Sequence, residues 1–236
     1  TPMYGIVLAF KDYSLTLGIM KSPWVGFEVF SQLFKTASFT RAFRNTIIIS
    51  LLRWVTGFPA PIILALMLNE LKNLRYKKII QTISYLPHFL SWVVVGYFVY
   101  AFLATDAGLF NNVAKALGIG NPKHQWYQDV GFWTWFLVFL NVWKGMGYNM
   151  VVYLASITGI DGTLYEAAML DGATKWQQTR HITLPSLKPI IVMMFILNVG
   201  HIFYSDFGLF FQVTQGIPNS LYNATSTFDT YVFQAL

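Results

Sequence analysis

The sequence predicts an all-α fold, a polytopic bundle of membrane helices, and three observations carry that prediction. Of 236 residues, 55% are apolar and only 11% charged, where a soluble domain carries about a quarter. The charges fall in short islands between apolar runs, and the mean hydropathy is +0.49. Four of those runs are long enough to cross about 30 Å of hydrocarbon at about 1.5 Å per residue. The same composition excludes a soluble domain, a disordered chain, a coiled coil and a nucleic-acid binder. With no cysteine, there is no disulfide or thiolate site to consider.

In chain order, residues 1–10 are apolar but too short to span and lack the basic start of a signal peptide, so they read as a partial helix. The four spans are expected at 47–68, 79–104, 132–157 and 190–211. They contain Arg53 with Pro59 and Pro61, then Pro87, then Lys144, then Asp206. Breakers and charges of this kind are tolerated where a helix faces other helices or water. Residues 229–236 read as the start of a further helix, so the single permease-like domain 1–236 is expected to be truncated at both ends. Basic residues set the orientation. Lys72, Arg75, Lys77 and Lys78 in loop 69–78 and Lys175, Arg180 and Lys188 in loop 158–189 are about twice as dense as those of the other connections, which places these two loops in the cytoplasm.

Loop 158–189 is too long for a bare connector and reads as two short amphipathic helices. Thr163 is expected to cap the first, with Glu166 as its capping-box partner. Gly172 ends that helix where a left-handed residue is least strained. Thr174 and Gln177 repeat the box, and Leu184-Pro185 is expected to close the second helix before Pro189 opens the next span. Ala167 and Ala168 leave a flank that another protein's backbone could approach closely.

The run Glu166-Ala167-Ala168-Met169-Leu170-Asp171-Gly172-Ala173, followed after eight residues by Ile182-Thr183-Leu184-Pro185, resembles the EAA loop of permease subunits of binding-protein-dependent ABC importers. Elsewhere, Ser22-Pro23-Trp24-Val25-Gly26-Phe27, Tyr85-Leu86-Pro87-His88-Phe89 and Asp229-Thr230-Tyr231-Val232 are similar to the carbohydrate-uptake branch, and most like its complex-oligosaccharide subgroup. The resemblance implies a type I ABC importer transmembrane fold in the cytoplasmic (inner) cell membrane, surrounded by lipid. It implies a pore shared with a second permease, two cytoplasmic ABC ATPases that hold the ATP and Mg, an extracellular sugar-binding protein, and an oligosaccharide as cargo. No cofactor is expected on this chain. Glu166, Ala167, Ala168, Asp171, Gly172, Leu184 and Pro185 are the implied ATPase-docking residues. Two roles stay open for Glu166: capping its own helix, or pairing with the ATPase.

Charges inside the spans sort by depth. Arg53 and Asp206 each fall roughly 7 to 8 Å outward of the midplane, and a lone ion there costs several kcal/mol, so an intramembrane ion pair is the expectation. Direct substrate contact and snorkelling of Arg53 are the alternatives. Lys144 falls almost at the midplane with no carboxylate of its own at that depth. Either a carboxylate of the second permease meets it, or it faces a water-filled passage where a substrate group can serve.

Asn141, Lys144 and Tyr148 follow i, i+3, i+7 on one helix, and Asn198, His201 and Ser205 repeat that spacing on the next. These six are the expected substrate pathway. Amides, hydroxyls and imidazoles bind sugar hydroxyls, and rings such as Trp143 or Tyr204 stack on sugar faces. By resemblance, maltose-type permeases place substrate contacts on the two helices that flank the EAA loop. Helix-to-helix hydrogen bonding is the alternative for each residue taken singly. An ammonium in a low-dielectric passage favours a cargo that carries carboxylates, so a uronate-containing oligosaccharide is expected. His88 either lines the pore or is satisfied by a carbonyl freed at the Pro87 kink.

No H-E-x-x-H, G-x-S-x-G, P-loop or metal-spaced cluster occurs, so no catalytic, nucleotide or metal site is expected. Two competing readings keep the membrane and change the activity. One is a polytopic enzyme acting on lipid or glycan with Asp206 and His201 as acid and base, a thin catalytic set. The other is a type I importer permease for a non-sugar solute.

Overall fold

The computed structural model describes residues 5–121, 123–200, 204 and 206–235. Among these no strand forms, and one isolated antiparallel bridge joins Lys11 and Trp24. Three short helices, α1 (Gly5–Leu8), α2 (Gly18–Lys21) and α3 (Glu28–Lys35), precede the bundle. Phe10 gathers Trp24, Phe27 and Phe30 around itself at centroid distances of 5.5 to 5.9 Å.

The first long element joins α4 (Ala37–Gly57) and α5 (Pro59–Glu70) into a rod of 34 residues. It starts ten residues before the expected 47. Asn45 and Thr46 look like loop residues in the sequence but are buried: Asn45 Nδ2 donates to the Asn223 carbonyl at 2.7 Å, and Thr46 Oγ1 accepts from the Phe228 amide at 3.0 Å.

The second expected span is not one rod. α6 (Leu74–Tyr85) leads through a 3-10 turn, Leu86–Phe89, into α7 (Trp92–Leu103), and the two parts are bent by 103°. Pro87 lacks the N–H that would continue the helix, and Ser91 restarts it by accepting from the Val94 amide.

The next connection contains α8 (Leu109–Leu117) and ends at Asp129, whose Oδ1 accepts from the Phe132 amide and caps α9 (Val130–Thr158). Two further helices, α10 (Gly162–Leu170) and α11 (Lys175–Gln178), follow. A π turn, Thr179–Thr183, then leads directly into α12 (Leu184–Val199), so Lys175–Val199 is one helix of 25 residues. Leu184-Pro185 therefore does not close a helix. The Leu184 amide reaches back to the Thr179 carbonyl, and this wider turn accommodates Pro185 without a break. The fourth expected span, 190–211, stops at Val199 and resumes as α13 (Phe207–Gln212), followed by α14 (Tyr222–Thr225) and α15 (Phe228–Ala235).

Among the described helices, only Ala37–Glu70 and Lys175–Val199 are long and apolar enough to cross a membrane, with the bent α6–α7 pair as a third if counted together. At 29 residues α9 is also long enough, but Asn141, Lys144 and Asn149 interrupt it. It packs against α4, α5, α6, α12, α13 and α14, and a helix so enclosed can carry polar groups at depth. Two apolar clusters grip it. One holds Trp133, Leu137 and Leu140 with Val99 and Phe210, and the other holds Met150, Tyr153 and Leu154 with Ala65 and Leu187. The polar stretch 141–149 lies between them.

Lipid tails are as apolar as leucine, so close packing must hold such helices together. Small residues make this possible. A Cβ on Gly147 would stand 1.8 Å from the Ser84 carbonyl oxygen, and one on Gly96 2.7 Å from that of Gln212. Gly208 meets Trp92 in the same way, so α7 and α13 run side by side in the same direction.

Candidate functional site

Beside its polar stretch α9 meets one proline-bearing rod and two neighbours that leave helical geometry. The rod lacks amide N–H groups at Pro59 and Pro61 but keeps helical angles through Phe58; the α6–α7 pair breaks between Leu86 and Ser91; α12 ends at Val199, and Tyr204 and Asp206 lie outside any helix. Backbone that leaves helical geometry at membrane depth is tolerated only where protein or a water-filled cavity receives its free polar groups.

On the proline-bearing rod, Arg53 Nε donates to Asn141 Oδ1 at 2.9 Å. Arg53, Asn141, Asn149 and Asn198 line a cavity of about 110 Å³ together with Ser50 and Trp54. The Trp54 indole N–H is a buried donor without a hydrogen-bond partner among the described residues. Asn198 Nδ2 donates to the Met194 carbonyl within its own helix.

At the α6–α7 break, the Lys144 ammonium donates to the His88 carbonyl at 3.4 Å and stands 4.8 Å from the centroid of the Trp92 ring. It thus has internal partners at its depth, which sequence counting of carboxylates did not foresee. The carbonyl is one that the Pro87 turn releases, and the indole face attracts a cation by its quadrupole. The His88 ring stacks on Tyr148 at 4.1 Å with a 10° interplanar angle, so His88 contributes its backbone to the lysine and its ring to the tyrosine.

Ahead of α13, the Asp206 carboxylate accepts from the Trp92 indole N–H. The expected direct pair between Arg53 and Asp206 is thereby corrected. Among the described residues each is held by a neutral group, Asn141 and Trp92 respectively, while the two charges still attract each other across the gap. Asp206 lies just ahead of α13, where the Trp92 indole of the adjacent α7 is its partner.

The expected stripe on α9 therefore divides. Asn141 faces the Arg53 cavity, as does Asn198, whereas Lys144 and Tyr148 face the α6–α7 break. His201 and Ser205 lie outside the described residues. Trp92 and Trp54 escaped the sequence reading; a depth count that included indole donors beside breaks would have found both.

The loop 158–189 is a separate unit. Its first helix starts at Gly162, with Asp161 rather than Thr163 as N-cap: Asp161 Oδ1 accepts from the Thr163 amide at 3.0 Å. A carboxylate at this position gains from the helix dipole, and that hydrogen bond holds its pKa below the ordinary 3.8. Glu166 is left exposed on the helix face with Ala167.

Gly172 has φ +76°. The Ala173 amide donates to the Ala168 carbonyl and the Gly172 amide to that of Met169, which completes a Schellman turn. Thr174 and Gln177 form the expected reciprocal capping box. Tyr165 Oη bonds Thr183 Oγ1 at 2.8 Å, and Gln178 Nε2 donates to the Ala173 carbonyl, so α10 is tied to the π turn. Leu170 is 90% exposed and Trp176 69%; with Glu166, Ala167 and Asp171 they form an open surface, while Ala168 is half-buried and Leu184 and Pro185 lie past the π turn.

Interrupted helices around one polar level, with an external knob, suit a membrane transport subunit. Residues 57–230 match the family described as binding-protein-dependent transport system inner membrane component. Protein LplB of Bacillus subtilis (strain 168) is 37% identical over 232 residues, covering 98% of this chain and 71% of that protein. The polygalacturonan/rhamnogalacturonan transport system permease protein YteP of the same organism is 38% identical, covering 99% and 71%. A chain in the crystal structure of a bacterial ABC transporter involved in the import of the acidic polysaccharide alginate superposes with a TM-score of 0.87 at 36% identity, covering 99% of this chain and 76% of that one. A second structure of an alginate transporter, in complex with an alginate pentasaccharide-bound periplasmic protein, gives 0.86 at the same identity. The chain belongs to this family: it is an inner-membrane permease subunit of the ABC importer type, with ATP hydrolysis left to separate subunits.

Proposed function

We propose that this chain is a translocation subunit for acidic oligosaccharides, forming a pore with a second permease and coupled to two cytoplasmic ATPases through α10. The observation that carries the charge preference is Lys144, whose ammonium is held by a backbone carbonyl and an indole face rather than by a carboxylate. Arg53 likewise leans on an amide. Two cations against the single carboxylate of Asp206 leave the polar level of α9 with a positive charge, and an entering uronate would gain charge-assisted hydrogen bonds there. The names of YteP and of the alginate transporter point to the same cargo class.

In this reading Asn141, Tyr148 and Asn198, with His201 and Ser205, contact hydroxyls, and Lys144 contacts the carboxylate. An outer binding protein delivers the sugar. The ATPases seat on Glu166, Ala167, Ala168, Asp171 and Gly172, supported by Leu184 and Pro185, and their closure switches the bundle between outward and inward access.

Uptake of an oligogalacturonide and of its carboxyl-reduced analogue, each by wild type and by Lys144→Gln, tests this. The substitution is expected to slow the acidic cargo at least tenfold more than the neutral one, since one charge-assisted bond contributes about 1.5 to 3 kcal/mol. Equal slowing of both would assign Lys144 to the second permease and end the acidic-cargo reading.

A further inference from the structure

The face of α6 that points away from α9 belongs neither to the polar level nor to the docking knob. Arg75, Lys78, Ile79, Thr82 and Ile83 follow i, i+3, i+4, i+7, i+8 and so share one helix face. All five are exposed, and together they border a shallow groove of about 490 Å³. The opposite face is occupied, because the Ser84 carbonyl lies against Gly147 of α9.

The groove is graded along its length. Two cations stand at its start, and the isoleucines follow. The Thr82 hydroxyl is spent on the Lys78 carbonyl at 2.9 Å, which satisfies its polar group within the helix. From Leu71 to Thr105 the sequence contains no carboxylate, while Lys72, Arg75, Lys77 and Lys78 fall within seven residues. At 12 residues the helix is about 18 Å long, close to the roughly 15 Å depth of one leaflet's hydrocarbon.

We propose that this groove is a site for an anionic phospholipid of the cytoplasmic leaflet. Its phosphate sits on Arg75 and Lys78, and one acyl chain lies along Ile79 and Ile83. The order of the groove matches a lipid, charge first and hydrocarbon after, and four cations within seven residues, against the one nearby carboxylate of Glu70, complement an anion. The proposal rests on the cytoplasmic orientation of loop 69–78 and not on the nature of the cargo.

The test is native mass spectrometry of the complete purified transporter, titrated with phosphatidylglycerol and, separately, with phosphatidylcholine. Wild type is expected to retain phosphatidylglycerol in preference. Arg75→Gln with Lys78→Gln should weaken that retention roughly thirtyfold, at about fivefold per cation, while Arg75→Lys with Lys78→Arg should keep it. Equal retention by wild type and the glutamine variant overturns the proposal. So does efficient cross-linking of Thr82→Cys to the second permease or an ATPase in native membranes, whereas its labelling by a membrane-soluble maleimide supports the lipid.

Discussion

Trp92 joins the α6–α7 break to the start of α13, because one face of its indole meets the Lys144 ammonium while its N–H serves the Asp206 carboxylate. A hydrogen bond to a charged group contributes about 1.5 to 3 kcal/mol, and Trp92→Phe should lose a stability of that size. In a double-mutant cycle with Asp206→Asn, most of the loss should be shared. The cycle of Arg53→Gln with Asp206→Asn should couple more weakly, by less than about 1 kcal/mol, because those two charges act only across a gap. Equilibrium unfolding in mixed micelles measures both cycles, and a larger coupling for the Arg53 pair would reverse the assignment. Sequence spacing gives depth along a helix, which is why Arg53, Lys144 and Asp206 could be singled out. It does not give the direction a side chain faces once the helix ends, and Asp206 lies outside any helix.

Among the elements, α10 is bounded by two devices with different signatures. Gly172 sits at φ +76°, and Gly172→Val should strain that position by about 1 to 2 kcal/mol. The protein should still insert, while substrate-stimulated ATPase activity of the reconstituted transporter falls severalfold. At the other end, the Thr163 amide lowers the Asp161 pKa. The stabilisation is present above the unfolded value and is lost as pH falls through the lower folded value, so the protection of amides at the start of α10, taken relative to their intrinsic exchange rates, should be flat near neutrality and drop only below about pH 4. Asp161→Asn should keep the cap and abolish that acid response. In the bundle, Gly147→Ala would force a methyl into the Ser84 carbonyl and should prevent α6 from seating on α9, read as loss of folded protein in detergent. The turn glycine and the second capping box were legible because both are local chemistry. The continuation through Leu184-Pro185 was not, since a π turn absorbs the proline without leaving a sequence mark.

Across the whole molecule, helix content and the approximate extent of α9 follow from composition and periodicity, whereas the splitting of two expected spans depends on how neighbouring helices receive their loose ends. The orientation is directly testable, because the chain has no cysteine of its own. Single cysteines at Lys72 and Lys175 should resist a membrane-impermeant maleimide in intact cells, and one at Lys115 should react; the opposite pattern would invert the topology. One continuity then has a mechanical meaning. The helix Lys175–Val199 begins beside the knob and ends one residue past Asn198 at the Arg53 cavity, a run of about 37 Å. On the proposed coupling it is a push-rod: a tilt imposed at its foot by a closing ATPase would swing its tip through an arc beside the Arg53 cavity, with the stroke carried along one helix rather than relayed through loops.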